Sequence, residues 1–151
     1  MNKFDSNILE EIREVLLSSY DLLDIESWAQ FELDCSIPIE SKAEVFLSIK
    51  NGINDYANIA GIYAIFDGET CLYIGKGKRI WERIKSHYKA ARGVDGTAKW
   101  DAFFQQYQKK LIVCWVEYKN LEQEILDDKL RELFEHVLQS KYKPKFDVFR
   151  Y

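Results

Sequence analysis

Two tyrosines, an arginine and a histidine stand at short, regular intervals in the middle of the chain. Tyr63 closes the tripeptide Gly61-Ile62-Tyr63, and Tyr73 opens Tyr73-Ile74-Gly75. A basic run containing glycine, Lys76-Gly77-Lys78-Arg79, follows at once, then Arg83 ten residues after Tyr73 and His87 four further on. A guanidinium is a planar, two-pronged donor that fits a phosphate. An imidazole exchanges protons near neutral pH. A basic, glycine-containing loop beside a cleft makes a fair phosphate contact. A phenol becomes a base where nearby cations lower its pKa from about 10, and Lys76 is placed to do that.

Taken singly, each group has an ordinary alternative. A tyrosine on a strand is by default an aromatic strand residue with an exposed hydroxyl. Arg83 could pair with Glu82 or face solvent, His87 could be a satisfied helix histidine, and the basic run could be a solvated turn. The aromatics Trp100, Phe103, Phe104 and Tyr107 read as core before they read as a base-stacking platform.

The elements that would carry these groups are legible. Apolar runs 61–66 and 71–74 flank Asp67-Gly68-Glu69-Thr70, and Asp-Gly between two such runs signals a hairpin. A helix is expected from Ile80 to about Ala91, with Ile80, Ile84 and Tyr88 toward the sheet. Arg79, Arg83 and His87 fall on the adjoining stripe, rotated by about 100°. Thr97 can cap a short helix holding Trp100 to Tyr107. Residues 111–118 are apolar on both alternating faces, as in a central strand. Asn120, with Gln123 three residues on, can cap a long helix whose stripe is Leu126, Leu130, Leu133, Phe134, Val137 and Leu138. Pro144 stops it, and an extended tail follows. Residues 1–60 read as helical. Asp5 or Ser6 can cap a first helix, Pro38 marks a break, and Ser41-Lys42-Ala43-Glu44 is a capping box before a helix that Asn51-Gly52 ends.

The order of tripeptides, arginine and histidine resembles the GIY-YIG nuclease superfamily, over residues 61–148. The resemblance implies an α+β fold of α/β/α-like layering: a small, mainly antiparallel three-stranded sheet flanked by helices. Here it would carry an added N-terminal helical region, dividing the chain into 1–60, acidic and helical, and 61–151, nuclease-like. It implies a metal-dependent endonuclease that hydrolyses phosphodiester bonds of nucleic acid, DNA first. Tyr63, Tyr73, Arg83, His87 and Glu135 are the implied catalytic residues, with Tyr63 positioning or deprotonating water. Glu135, chosen over Glu132 by its spacing from Pro144, is the implied ligand of Mg²⁺ or Mn²⁺. A single carboxylate holds such an ion weakly, so substrate oxygens and water would complete its shell. The bland reading of Glu135 is an ion pair with Arg131, four residues earlier. Lys76, Lys78 and Arg79 are the expected substrate contacts. Asp147 falls where the superfamily usually has asparagine, and either strengthens metal binding or marks a drifted site. The rival reading is a nucleic-acid-binding or regulatory module without turnover, whose acidic N-terminal region docks a partner or shields the basic face.

The whole chain fits these readings. Its 151 residues are 47% hydrophobic and 15% aromatic, ample for one packed core and contrary to disorder. The net charge of −4 is unevenly spread: residues 1–60 hold 4 Lys+Arg against 12 Asp+Glu, and residues 61–151 hold 17 against 13. The basic part suits a polyanion, and the acidic part would repel one. No run is long and apolar enough for a membrane span, and the first residues lack the layout of a secretion signal. Cys35, Cys71 and Cys114 are scattered, which argues against a disulfide framework or zinc site and for a reducing, cytoplasmic setting.

Overall fold

The computed structural model describes residues 24–53, 59–94, 98–118 and 124–146. The capping positions at 5, 6, 97, 120 and 123, and Asp147, lie outside the described residues. A short 3₁₀ turn, Ile25–Ser27, precedes strand β1, Ala29–Asp34, and helix α1, Lys42–Gly52. The hairpin strands β2, Gly61–Asp67, and β3, Thr70–Gly77, lead into α2, Ile80–Ala91. Then come the short helix α3, Ala98–Phe104, strand β4, Lys110–Glu117, and the long helix α4, Glu124–Tyr142.

The strands form one antiparallel sheet in the order β1-β4-β2-β3. The fold is therefore α+β, with four strands rather than the expected three. The extra strand is β1, in the segment read as helical. Its sequence alternates Phe31, Leu33 and Cys35 with Glu32 and Asp34, and Leu33 and Cys35 are buried. That is the period of a strand with one face on a core. Ile25 and Trp28 join the core on one side of the sheet; Leu33, Cys35, Val45, Ile49 and Ile53 join the core on the other.

The hairpin turns as expected, through Gly68-Glu69, with Gly68 at φ 59°, a backbone region glycine enters without a steric penalty. Ile65 pairs with Tyr73 but Phe66 pairs with Cys71, so Leu72 is an extra residue in β3. This bulge sends both Leu72 and Tyr73 to one core while Cys71 and Ile74 face the other. The outer edge of β3 is covered by the tail, where Lys145 N–H donates to the Cys71 carbonyl and Phe146 N–H to that of Leu72. Gln139 of α4 donates to the Ile74 carbonyl in the same row, at 3.2 Å.

Helices α1, α2 and α3 lie on the Tyr63 face, and α4 lies on the opposite one through Leu130, Phe134 and Leu138. Ile80, Ile84 and Tyr88 of α2 point into the sheet and are fully buried. Ser41 precedes α1 as the capping box requires, yet its side chain makes no cap hydrogen bond. Among the described residues no helix is long and apolar enough to cross a membrane.

Candidate active site

The register of the hairpin brings the first groups together. Tyr63 lies directly opposite Gly75, and Tyr73 lies two residues before Gly75 on the same strand. A Cβ on Gly75 would sit 2.7 Å from the Tyr63 hydroxyl and 2.6 Å from the Tyr73 ring. The second tripeptide thus ends in glycine because both phenols lie across that position. Their rings stack with centroids 5.9 Å apart.

From α2, His87 and Arg83 enter the same pocket one turn apart. The Tyr63 hydroxyl and His87 Nε2 are hydrogen-bonded at 2.7 Å. Arg83 Nη2 donates to the Tyr73 hydroxyl at 3.5 Å. His87 is 1% exposed, so it lies within the packed face rather than beside it, while Arg79 stays outside near Glu82 at 3.8 Å. Lys76 is half-buried at the end of β3 and pairs with Asp128 of α4 at 3.2 Å. Lys78 and Arg79 are exposed on the loop.

Burial governs the acid–base character of the pocket. It raises the Tyr63 phenol well above its ordinary value; Tyr73 adds to the rise and Arg83 opposes it. Tyr73 is raised for the same first reason, again against Arg83. The expected lowering of a tyrosine does not occur, because for both phenols burial outweighs the one opposing cation, Arg83. His87 is held well below its usual range by burial and then by Arg83, so its imidazole is neutral.

Glu135 comes from the helix on the opposite face, yet its charge acts on Tyr63, Tyr73 and Arg83. Its carboxyl is pushed up to about 7: burial is the main cause, Lys76 and Arg83 pull it back, and Glu132 and Asp128 raise it. A divalent cation beside such a buried carboxyl would favour its ionised form. Among the described residues no group of three or more His, Cys, Asp or Glu side chains could hold a metal, so such an ion would have few protein ligands. The alternative pairing of Glu135 with Arg131 gives way to another: Arg131 donates to the Tyr118 carbonyl at 2.9 Å and lies 3.6 Å from Asp128.

Sequence reasoning missed two contributors, Asp128, which holds Lys76, and Trp100, which covers the pocket. Trp100 stacks on His87 with centroids 4.1 Å apart and an interplanar angle of 16°. The Arg83 guanidinium lies 5.0 Å from the centre of the same indole. Phe104 and Phe146 complete the aromatic wall. The core reading holds for Phe104, and Trp100, Phe103 and Tyr107 pack against that core. No periodicity marks Trp100, since its neighbours on the site come from other elements. A separate cavity of about 550 Å³ lies across the sheet, lined by residues including Ile25, Phe66, Ile112 and Tyr142, and holds none of these groups.

No family model matches the chain. UvrABC system protein C of Fervidobacterium nodosum is 34% identical over 92 residues. That match covers 60% of this chain and 14% of the relative, so the chain spans about a seventh of that protein's length. Two solved structures are similar in fold, both of the GIY-YIG N-terminal endonuclease domain of UvrC from Thermotoga maritima. They are point mutants bound to their catalytic divalent cation, 21% and 22% identical to this chain. Each alignment has a TM-score of 0.46 and covers 66% of this chain, with 96% and 94% of the respective domain.

Proposed function

We propose that this chain, which carries a GIY-YIG segment beginning at Gly61, is a divalent-metal-dependent endonuclease that hydrolyses phosphodiester bonds of nucleic acid, most naturally DNA. The observation that carries the reading is the 2.7 Å contact between the Tyr63 hydroxyl and a neutral, buried His87, beside an arginine able to grip phosphate. The 92-residue similarity to a UvrABC system protein C supports a nuclease independently of that geometry.

The acid–base roles follow from the environment. Tyr63 is too weak an acid to wait as phenolate, so it acts as a relay. As its oxygen takes a proton from the attacking water, its own proton passes to His87 Nε2, leaving hydroxide to bond to phosphorus. The P–O bond opposite then breaks, the leaving oxygen is protonated by solvent, and His87 returns its proton to solvent through Tyr63. Arg83 binds the non-bridging oxygens in a two-pronged fashion, at hydrogen-bonding distance from Tyr73. Lys76 adds a second positive charge on leaving Asp128, with Lys78 and Arg79 steering the strand from the loop. Glu135 would hold Mg²⁺ or Mn²⁺, which when bound would stabilise charge building on the phosphate oxygens.

Plasmid nicking with Mg²⁺ or Mn²⁺ tests the proposal. Wild type should nick, whereas Arg83→Ala and Glu135→Ala should each lose about 100-fold or more in rate. Undiminished cleavage in both variants would rule this site out. A second reading, a nucleic-acid-binding module without turnover, is favoured by one observation: Tyr63 and Tyr73 are 0% and 2% exposed, so water reaches them only after a movement. Salt-dependent binding without nicking under any metal would select it.

A further inference from the structure

We propose that Trp100 is a positioning residue of this site: its indole face fixes the plane of the His87 imidazole and supports the Arg83 guanidinium. It takes the place that a carboxylate or carbonyl partner holds beside other proton-transferring histidines. The proposal rests on the endonuclease reading for its kinetic consequence, and on geometry alone for its structural one.

An imidazole held by one hydrogen bond can still turn about its ring axis. Proton-transferring histidines are commonly oriented through the second ring nitrogen. Here Nε2 faces Tyr63, while Nδ1 is buried and has no hydrogen-bond partner among the described residues. What surrounds the ring is aromatic: Trp100 nearly parallel at 4.1 Å, Tyr73 at 4.4 Å and Phe104 at 4.7 Å. Of these, only Trp100 lies flat against the ring, at 16° compared with 59° and 65°. A flat indole restrains rotation of the imidazole plane, and its negative face favours a cation above it. The Arg83 guanidinium already lies 5.0 Å from the centre of that indole, and a protonated His87 would gain from its π-cloud once the Tyr63 proton reaches Nε2. Trp100 is itself half-buried: beneath it His87 and Tyr73 are 1% and 2% exposed, and beside it Arg83 is exposed. It is the wall between the pocket and solvent, and replacing it should not hollow out the deep core.

The chain has two histidines, so a His136→Asn background leaves His87 as the only ring to observe. In that background, ¹⁵N-histidine NMR and nicking kinetics would be compared for Trp100, Trp100→Phe and Trp100→Leu. With Trp or Phe at 100, His87 should show one tautomer with distinct Nδ1 and Nε2 signals. With Leu the two signals should move toward an average, kcat should fall roughly tenfold or more, and KM should stay within about twofold. A single unchanged tautomer in Trp100→Leu would overturn the proposal, as would equal losses of kcat with Phe and Leu. If the wild type nicks nothing, the endonuclease reading fails while the tautomer comparison still decides the role of Trp100.

Discussion

At the scale of single residues, the site is governed by desolvation acting in two directions. Burial makes Glu135 hold its proton and makes His87 refuse one. The consequences for stability have opposite signs. The folded-state value of Glu135 is raised from 4.5 to about 7. Between those pH values the folded chain keeps a proton that the unfolded chain has released, so stability falls as pH rises through the window. Glu135→Gln should therefore match wild type near pH 4 and exceed it at pH 8, by on the order of 1–2 kcal/mol after allowance for partial exposure. His87 is lowered from 6.5, so below that pH the unfolded chain takes up a proton that the folded chain does not. Stability then falls with acidification, and His87→Gln should flatten that loss. Thermal melts at pH 4, 6 and 8 read both effects; a Glu135→Gln variant no more stable than wild type at pH 8 would contradict the assigned environment.

At the scale of elements, the pieces read most clearly from sequence were those whose signal is local. The Asp-Gly turn, α2 with its Ile80, Ile84 and Tyr88 face, and the apolar run of β4 depend on periodicity and turn chemistry within a few residues. The pieces that escaped are fixed by distant partners. Strand β1 alternates correctly, but its acidic surroundings read as helix, and only pairing with β4 more than seventy-five residues away reveals it. The bulge at Leu72 is visible only in the register with β2, yet it decides that Tyr73 faces Tyr63. This bears on the N-terminal half. With β1, Leu33, Val45 and Ile49 inside the fold, the fragment 55–151 should expose an edge of β4 and a stripped core. It should aggregate or melt without cooperativity, as judged by light scattering and circular dichroism. A soluble fragment that unfolds cooperatively would show that residues 1–54 are dispensable to the core.

At the scale of the whole molecule, the arrangement joins two faces of one sheet. Tyr63, His87, Tyr73 and Arg83 sit on one face, and Glu135 comes from the helix on the other, its charge felt at Tyr63, Tyr73 and Arg83. The four central groups were legible because they are close in sequence. Glu135 was legible only by resemblance; Trp100 was legible as an aromatic packing on the core but not as the cover of His87, and Asp128 not at all, since nothing local marks those contacts. The three cysteines behave as their apolar settings suggest: all are buried, with thiols raised to about 12, 12 and 11 for Cys35, Cys71 and Cys114, chiefly by desolvation. The most direct test of the central claim is the initial rate of metal-dependent plasmid nicking by Tyr63→Phe, which removes one oxygen from the relay. The account predicts a loss of at least about 100-fold with the fold intact. A rate within about threefold of wild type would contradict it.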